Sequence, residues 1–160
     1  MTHSEILSEV LAIAKEGSAC TSEYRRAAES TDMASLAEVL RDNFRWCCEN
    51  DLLTADTITR WGLRAHGITC NEDVSSGYCL ASGSATVRAY GSATVRASGS
   101  ATVEAYDSAT VEAYDSATVI AYGSAYIHAR YGAIECKLND RAILRHGNTI
   151  TAANGQTMTL

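Results

Sequence analysis

The sequence predicts an α+β protein, with an N-terminal small helical bundle over residues 1–67 followed by a β-solenoid over residues 68–160. Three observations predict this fold. Apolar residues in the first part recur with the spacing of amphipathic helices, and the second part contains an eight-residue repeat. Charges within that repeat pair best when two units form one coil.

The composition is that of a globular chain. Its 160 residues are 46% hydrophobic and 20% charged, with a net charge of −6, which is too apolar for a disordered chain. No run of eighteen apolar residues occurs and the first residues are not cationic, so we expect neither a membrane span nor a secretion signal. A pI near 5.1 argues against direct nucleic-acid binding.

The six cysteines show neither a disulfide framework nor a zinc motif. No C-x-x-C pair is present, and Cys47 and Cys48 are adjacent on an apolar stretch. We therefore expect reduced thiols that pack as small apolar side chains, which fits a cytoplasmic protein.

Four helices are expected in the first part. The first two begin near Thr2 and Thr21. Ser35 with Glu38 has the spacing of a capping box for the third, which continues as one apolar stripe. Thr54 is the expected cap of the fourth. This bundle is expected to cover the first coil of the solenoid, and a helical dimerisation module is the alternative.

The second part is organised by an octapeptide repeat. The second, fourth and sixth positions of each unit, such as Val87, are small and apolar, whereas the third, fifth and seventh, such as Arg88 and Tyr90, are polar or amphipathic. This alternation predicts a short strand with one buried face, and the Gly-Ser or Asp-Ser that follows predicts a corner. From Ser84 the units read SATVRAYG, SATVRASG, SATVEAYD, SATVEAYD, SATVIAYG and SAYIHARY.

The same pattern predicts that the array runs from Ser76 to Leu160, in about ten units. One inserted residue near Tyr131–Gly132 shifts the register, after which the eight-residue step resumes. On this reading His146, Ile150 and Met158 all point inward.

Charge favours two units per coil. With sixteen residues per coil, Arg88 lies beside Glu104 and Arg96 beside Glu112. With eight residues per coil, like charges would meet. With twenty-four, only Arg88 and Glu112 would pair, although a triangular coil of three units stays open as an alternative.

Catalysis has no positive support in the sequence. None of the four histidines lies in a recognisable catalytic or phosphate-binding motif, and an isolated inward His146 is typical of a hydrogen-bonded core residue. Glu104 and Glu112 are paired carboxylates, but arginines of the same rows neutralise them. We expect a protein that is not an enzyme and has no cofactor and no metal site.

The repeat also resembles the sixteen-residue coils of bacterial ice-nucleation proteins, as Tyr90-Gly91-Ser92 followed by Thr94 shows. Those proteins place a second small hydroxyl two residues after each Thr, whereas this chain has Arg or Glu there. Long charged side chains disturb a flat surface of ordered water, so ice binding is disfavoured.

Outward tyrosines and acids make the repeat a candidate contact surface. Tyrosine is rigid and amphipathic, which is typical of contact sites, although stacked tyrosines also simply cover a sheet. Residues 71–130 carry three arginines against six acids, a net charge of −3. The candidate binding residues are Tyr90, Glu104, Tyr106, Glu112, Tyr114 and Tyr122.

The combination resembles short proteins of bacteriophages and other bacterial mobile elements, which have a helical head followed by Ser-Ala-Thr-Val-x-Ala-Tyr-Gly octapeptides. The resemblance covers about Tyr24 through Tyr122 and includes the stretch Asn43-Phe44-Arg45-Trp46-Cys47. It implies an inhibitor of host defence, including the anti-CRISPR class, that binds a host protein or nucleoprotein such as a CRISPR effector.

An acidic rod of this kind could compete for the basic nucleic-acid channel of such a target. Membrane binding is not expected, and a homodimer is open. The alternative function is a structural one, in which a virion or polymer component associates through its edge strands.

Overall fold

The computed structural model describes residues 1–160, which form two compact regions, Met1–Ile68 and Thr69–Leu160. The first, here called the helical region, contains helices, and the second, the solenoid region, contains stacked β-strands. The α+β class with a helical part before a β-solenoid is therefore confirmed.

The helical region has five α-helices and one 3-10 turn. α1 carries the expected capping box, in which the Thr2 side chain accepts from the backbone of Glu5 and the Glu5 carboxylate accepts from the backbone of Thr2. The elements are α1 (His3–Glu16), α2 (Thr21–Ala28), α3 (Met33–Asp42), α4 (Phe44–Glu49), α5 (Ala55–Arg60) and the 3-10 turn (Leu63–His66).

Two expectations about α3 are wrong. Asp32, and not Ser35, is its N-cap, and the Asp32 carboxylate accepts from the Ser35 N–H at 2.8 Å. The expected single stripe also breaks at Asn43, whose side-chain amide donates to the carbonyl of Val39 at 3.0 Å. A side chain that bonds the preceding turn competes with helix propagation, so α3 ends there and α4 begins.

The solenoid region consists of two sheets. One has eight strands in the order β1-β2-β4-β6-β8-β10-β11-β12, and the other has four in the order β3-β5-β7-β9. The strands are β1 (Ile68–Cys70), β2 (Tyr78–Ala81), β3 (Thr86–Ala89), β4 (Thr94–Ala97), β5 (Thr102–Ala105), β6 (Thr110–Asp115), β7 (Thr118–Ala121), β8 (Tyr126–Gly132), β9 (Glu135–Leu138), β10 (Ile143–His146), β11 (Thr149–Ala152) and β12 (Thr157–Thr159).

The coil is flat and contains two octapeptides. Thr86 is the parallel neighbour of Thr102, and Thr102 is that of Thr118, so each strand pairs with the one sixteen residues further on. The intervening strands pair in the same way in the other sheet, where Thr94 lies beside Thr110. The two-unit coil is therefore confirmed.

The inward rows form a dry interior. Val87, Val95, Val103, Val111 and Val119 are each 0% exposed, as are the alanines that flank them from residue 93 to residue 125. Because Ala and Val are short, the two sheets can lie close together with few voids.

Corners use left-handed backbone at the eighth position of the first five octapeptides. Gly99 has φ 69° there and Asp107 has φ 55°. Where Asp replaces Gly, its carboxylate accepts from the glycine N–H one coil earlier, as Asp107 does from Gly91 at 3.0 Å and Asp115 from Gly99 at 2.9 Å. This bond offsets the conformational cost of a non-glycine residue in that region.

The expected insertion is present as a bulge at the end of β8. Asp115 pairs with Gly132 after a register shift, and Thr118 then pairs with Glu135, seventeen residues further on. The extra residue therefore leaves the inward face of the next strand unchanged.

The end of the chain departs from the prediction that the array continues to Leu160. β10 still pairs in parallel with β8, but β11 runs antiparallel to β10, and β12 antiparallel to β11. The turn through Gly147 (φ 57°) places Thr149 opposite His146, so Ile150 falls on the outward face. His146 is exposed, although its pairing with Ala129 keeps it on the inward face, whereas Met158 is exposed on the outward face opposite Ile150.

Candidate interaction surface

Three tyrosines stack along one corner of the solenoid, and we call Tyr90, Tyr106 and Tyr122 the tyrosine ladder. The ring centroids of Tyr90 and Tyr106 are 5.0 Å apart with planes inclined by 12°. Those of Tyr106 and Tyr122 are 4.9 Å apart and inclined by 6°. The predicted row is thus present, with Tyr90 38% exposed and the other two rings half-buried.

Backbone pairing fixes the ladder. Tyr90, Tyr106 and Tyr122 directly follow β3, β5 and β7 at the seventh position of alternate octapeptides. The N–H of Tyr106 donates to the carbonyl of Ala89 at 2.8 Å, and that of Tyr122 donates to Ala105 at the same distance. Because the spacing of the rings follows the spacing of the strands, the three rings are held in place in the unbound protein.

Carboxylates line the ladder on the four-stranded sheet. The Tyr106 hydroxyl donates to Glu104 Oε2 at 3.1 Å, and Arg88 Nε donates to the same oxygen at 3.0 Å. Asp73 lies on the other side of Arg88, with 3.7 Å between Oδ2 and Nη1. Arg88 therefore lies between two acids, and this part of the surface is negative overall.

The same contacts shift two pKa values. Partial burial and the hydrogen bond to Glu104 raise the pKa of Tyr106, so its hydroxyl stays protonated and able to donate. The hydrogen bond to Glu104 also raises the pKa of Arg88. Tyr106 therefore stays neutral and Arg88 stays charged over the physiological pH range.

Tyr114 does not belong to the ladder, contrary to the expectation that it is an outward contact residue. Its ring is 1% exposed, because the Arg96 guanidinium lies over it at 3.8 Å from the ring centroid and Tyr131 meets its edge at 5.1 Å. Its hydroxyl donates to Glu112 Oε2 at 3.2 Å. Tyr114 therefore packs inside a side-chain cluster on the eight-stranded sheet.

Glu112 is held in the same cluster. Arg130 Nη2 donates to its Oε1 at 2.7 Å, and Arg96 Nη1 lies 3.9 Å from its Oε2. The Glu112 side chain is only 19% exposed. The six candidate residues thus divide into a surface group of Tyr90, Glu104, Tyr106 and Tyr122, and an internal pair of Glu112 and Tyr114.

Sequence reasoning missed Asp73, Arg130 and Tyr131 as parts of these two sites. Asp73 lies before the first clear octapeptide, although its Oδ1 accepts from the Arg88 N–H at 2.8 Å. Arg130 occupies the seventh position of its octapeptide, where the other units carry Tyr or Ser. Arg in place of Tyr or Ser, in the same octapeptide as the inserted residue, was the sequence feature that could have indicated a different side-chain contact here.

The helical region contains an apolar pocket of about 290 Å³ that sequence reasoning also missed. Residues from α1, α3 and α4 line it, including Val10, Leu40 and Trp46, with Tyr24 of α2. At its polar side the Asn43 amide donates to Glu23 Oε2 at 2.8 Å. Such a pocket has the size and lining to admit one apolar side chain or a small ligand.

The thiols differ in reactivity. All six cysteines are free, with Cys47 and Cys79 buried and Cys20 exposed. Burial raises the pKa of Cys47 to about 12, whereas the hydrogen bond to Ser22 lowers the pKa of Cys20. Cys20 is therefore the thiol most open to modification.

No cluster of three or more His, Cys, Asp or Glu side chains is arranged to hold a metal ion. None of the helices combines the length and apolar character needed to span a bilayer. Comparisons with protein-family models, with curated proteins and with solved structures find no match to this chain.

Proposed function

We propose that this protein is a non-enzymatic binding protein that inhibits a host nucleoprotein. The observation that carries the proposal is the tyrosine ladder with its neighbouring carboxylates. It is a rigid aromatic row that loses little conformational entropy on binding, beside charges that complement a basic surface.

The resemblance to proteins of phages and mobile elements names the first target to test. A CRISPR effector holds nucleic acid in a basic channel, which an acidic solenoid from a phage or mobile element would occupy in the host cytoplasm. On this proposal the protein competes with nucleic acid and does not bind it, and the free cysteines are compatible with a reducing compartment.

The test measures competition with purified CRISPR effectors of several types, each loaded with guide RNA and offered labelled target DNA. The ladder variant carries Tyr90→Ser, Tyr106→Ser and Tyr122→Ser. Serine is tolerated at this position because the repeat itself has Ser98 there. The matched control is Tyr131→Ser, since Tyr131 is 62% exposed, lies outside the ladder and meets the edge of Tyr114 in the internal cluster of the eight-stranded sheet.

We expect the native chain and the control to displace target DNA from one effector type, and the ladder variant to need at least tenfold more protein. Higher salt should weaken inhibition, because the contact pairs opposite charges. Equal potency of the ladder variant, with an unchanged circular dichroism spectrum, would contradict the proposed surface. Failure against every effector type would contradict the proposed target.

The alternative is a structural, polymer-forming protein, and the exposed edge strand β12 favours it. Light scattering separates the two functions. A polymer grows continuously with concentration, whereas an inhibitor stays a discrete particle.

A further inference from the structure

The eight-stranded sheet has a free edge at β12, which pairs only with β11. The Leu160 N–H donates to the carbonyl of Asn148 at 2.8 Å, and the Ala152 N–H donates to that of Gln156 at 2.9 Å. Because the direction of the backbone groups alternates along an antiparallel strand, those of Thr157 and Thr159 point away from β11. This edge offers two N–H and two C=O groups to a further strand.

One face of the same hairpin is apolar and exposed. Met158 is 58% exposed, Leu160 59% and Ile143 38%. Met158 on β12 lies directly opposite Ile150 on β11, so the two side chains share a face. Together with Ile143 they line a shallow groove beside the free edge.

The two sheet edges at this end of the repeat differ in how well they are protected against pairing with a further strand. The last strand of the four-stranded sheet, β9, carries the exposed charged residues Glu135 and Lys137, which are typical guards against edge pairing. β12 has no charge, no proline and no bulge. No residue from 147 to 160 has a charged side chain, although the chain as a whole has a net charge of −6.

We propose that a second copy of this chain pairs with β12 across a two-fold axis at Met158. In this antiparallel contact Thr157 lies opposite Thr159 of the partner subunit, and the four outward backbone groups of each strand are satisfied. The Met158 side chains of the two copies meet on the apolar face. The two eight-stranded sheets then form one continuous sheet.

The charge distribution selects a second copy as the occupant. A two-fold axis brings each residue near its own copy, so any charge close to the axis would meet a like charge. Residues 147–160 carry no charged side chain and so avoid this repulsion, and the nearest charged side chain on that face, Arg145 opposite Ile150, lies two strands from β12. The contact closes at two chains and does not depend on the proposed inhibitory function.

The test is sedimentation of the full chain between about 1 µM and about 1 mM, a range chosen because a single edge and groove form a small interface. Met158→Lys places two ammonium groups near the axis. Thr157→Pro removes an outward N–H that the monomer does not use. The matched control Thr149→Lys adds the same charge to the opposite face of the hairpin, where the native residue is exposed.

We expect the native chain and the control to shift from 17.1 kDa to twice that mass as concentration rises. Met158→Lys and Thr157→Pro should weaken dimerisation at least tenfold. Met158→Gln, a milder change, keeps the test decisive if either variant loses the circular dichroism of the native chain. A native chain that stays monomeric throughout, a dimer unaffected by these variants, or growth beyond two chains would overturn the proposal.

Discussion

The parallel coils and the terminal hairpin share the eight-residue spacing of the sequence but have opposite architectures. In the coils the second, fourth and sixth residues of each octapeptide enter the interior, and Val103 is 0% exposed. In the hairpin the residue expected to continue that row, Met158, is 58% exposed. Spacing alone therefore does not determine which face is buried, because the connection between strands decides it.

The largest expected difference concerns the interior. Val103→Asp places a carboxylate between the sheets with no partner and should cost ~4 kcal/mol or more of unfolding free energy. Met158→Asp in the hairpin should cost less than ~0.5 kcal/mol, because that side chain is solvated in the monomer. Chemical denaturation at low protein concentration measures both values, and similar losses would contradict the difference between coil and hairpin.

Corners provide a second, smaller contrast. Gly99 and Gly147 both have positive φ, but a Cβ at Gly99 would lie 3.1 Å from the carbonyl oxygen of Gly83, whereas one at Gly147 meets nothing within 4 Å. Gly147→Ala should cost ~1 kcal/mol for the left-handed backbone alone. Gly99→Ala should cost more, since the stacked coil must also shift. Thermal denaturation that ranks Gly147→Ala as the worse variant would show that the corners are not closely stacked.

Two arginines give the smallest contrast. Arg96 lies over the Tyr114 ring with a side chain only 9% exposed, so Arg96→Gln should cost ~1–2 kcal/mol. Arg145 donates to the Gly147 carbonyl at 3.2 Å in an exposed bond beside the hairpin. Arg145→Gln should cost ~0.5 kcal/mol or less. Equal losses in denaturant titrations would mean that the cluster around Tyr114 adds nothing to the coils.

The coils could be predicted because their sequence constrains them twice. Alternation at Val87 and its equivalents assigns the buried face, and the opposite charges of Arg88 and Glu104 select sixteen residues per coil. The hairpin was not predictable in the same way. The turn through Gly147 has the composition of a corner, so the sequence shows no break in the array.

The surface was predictable only in part. The ladder follows from the repeat, because Tyr90 and Tyr106 occupy equivalent positions one coil apart. The burial of Tyr114 does not, since the residue one coil earlier is Ser98, which offers no ring to stack on. Tyr114 packs instead against Arg96 and Tyr131. The position of Tyr131 depends on the bulge at the end of β8, whose geometry the sequence does not show.

Backbone nuclear Overhauser effects in the labelled full chain test the central claim most directly, because they report which strands are neighbours. The structure predicts parallel contacts between Thr86 and Thr102, an offset of seventeen between Thr118 and Glu135, and an antiparallel contact between Leu144 and Thr151. Parallel contacts between residues eight or twenty-four apart within the coils, or a parallel pairing of Leu144 with Leu160, would contradict the account.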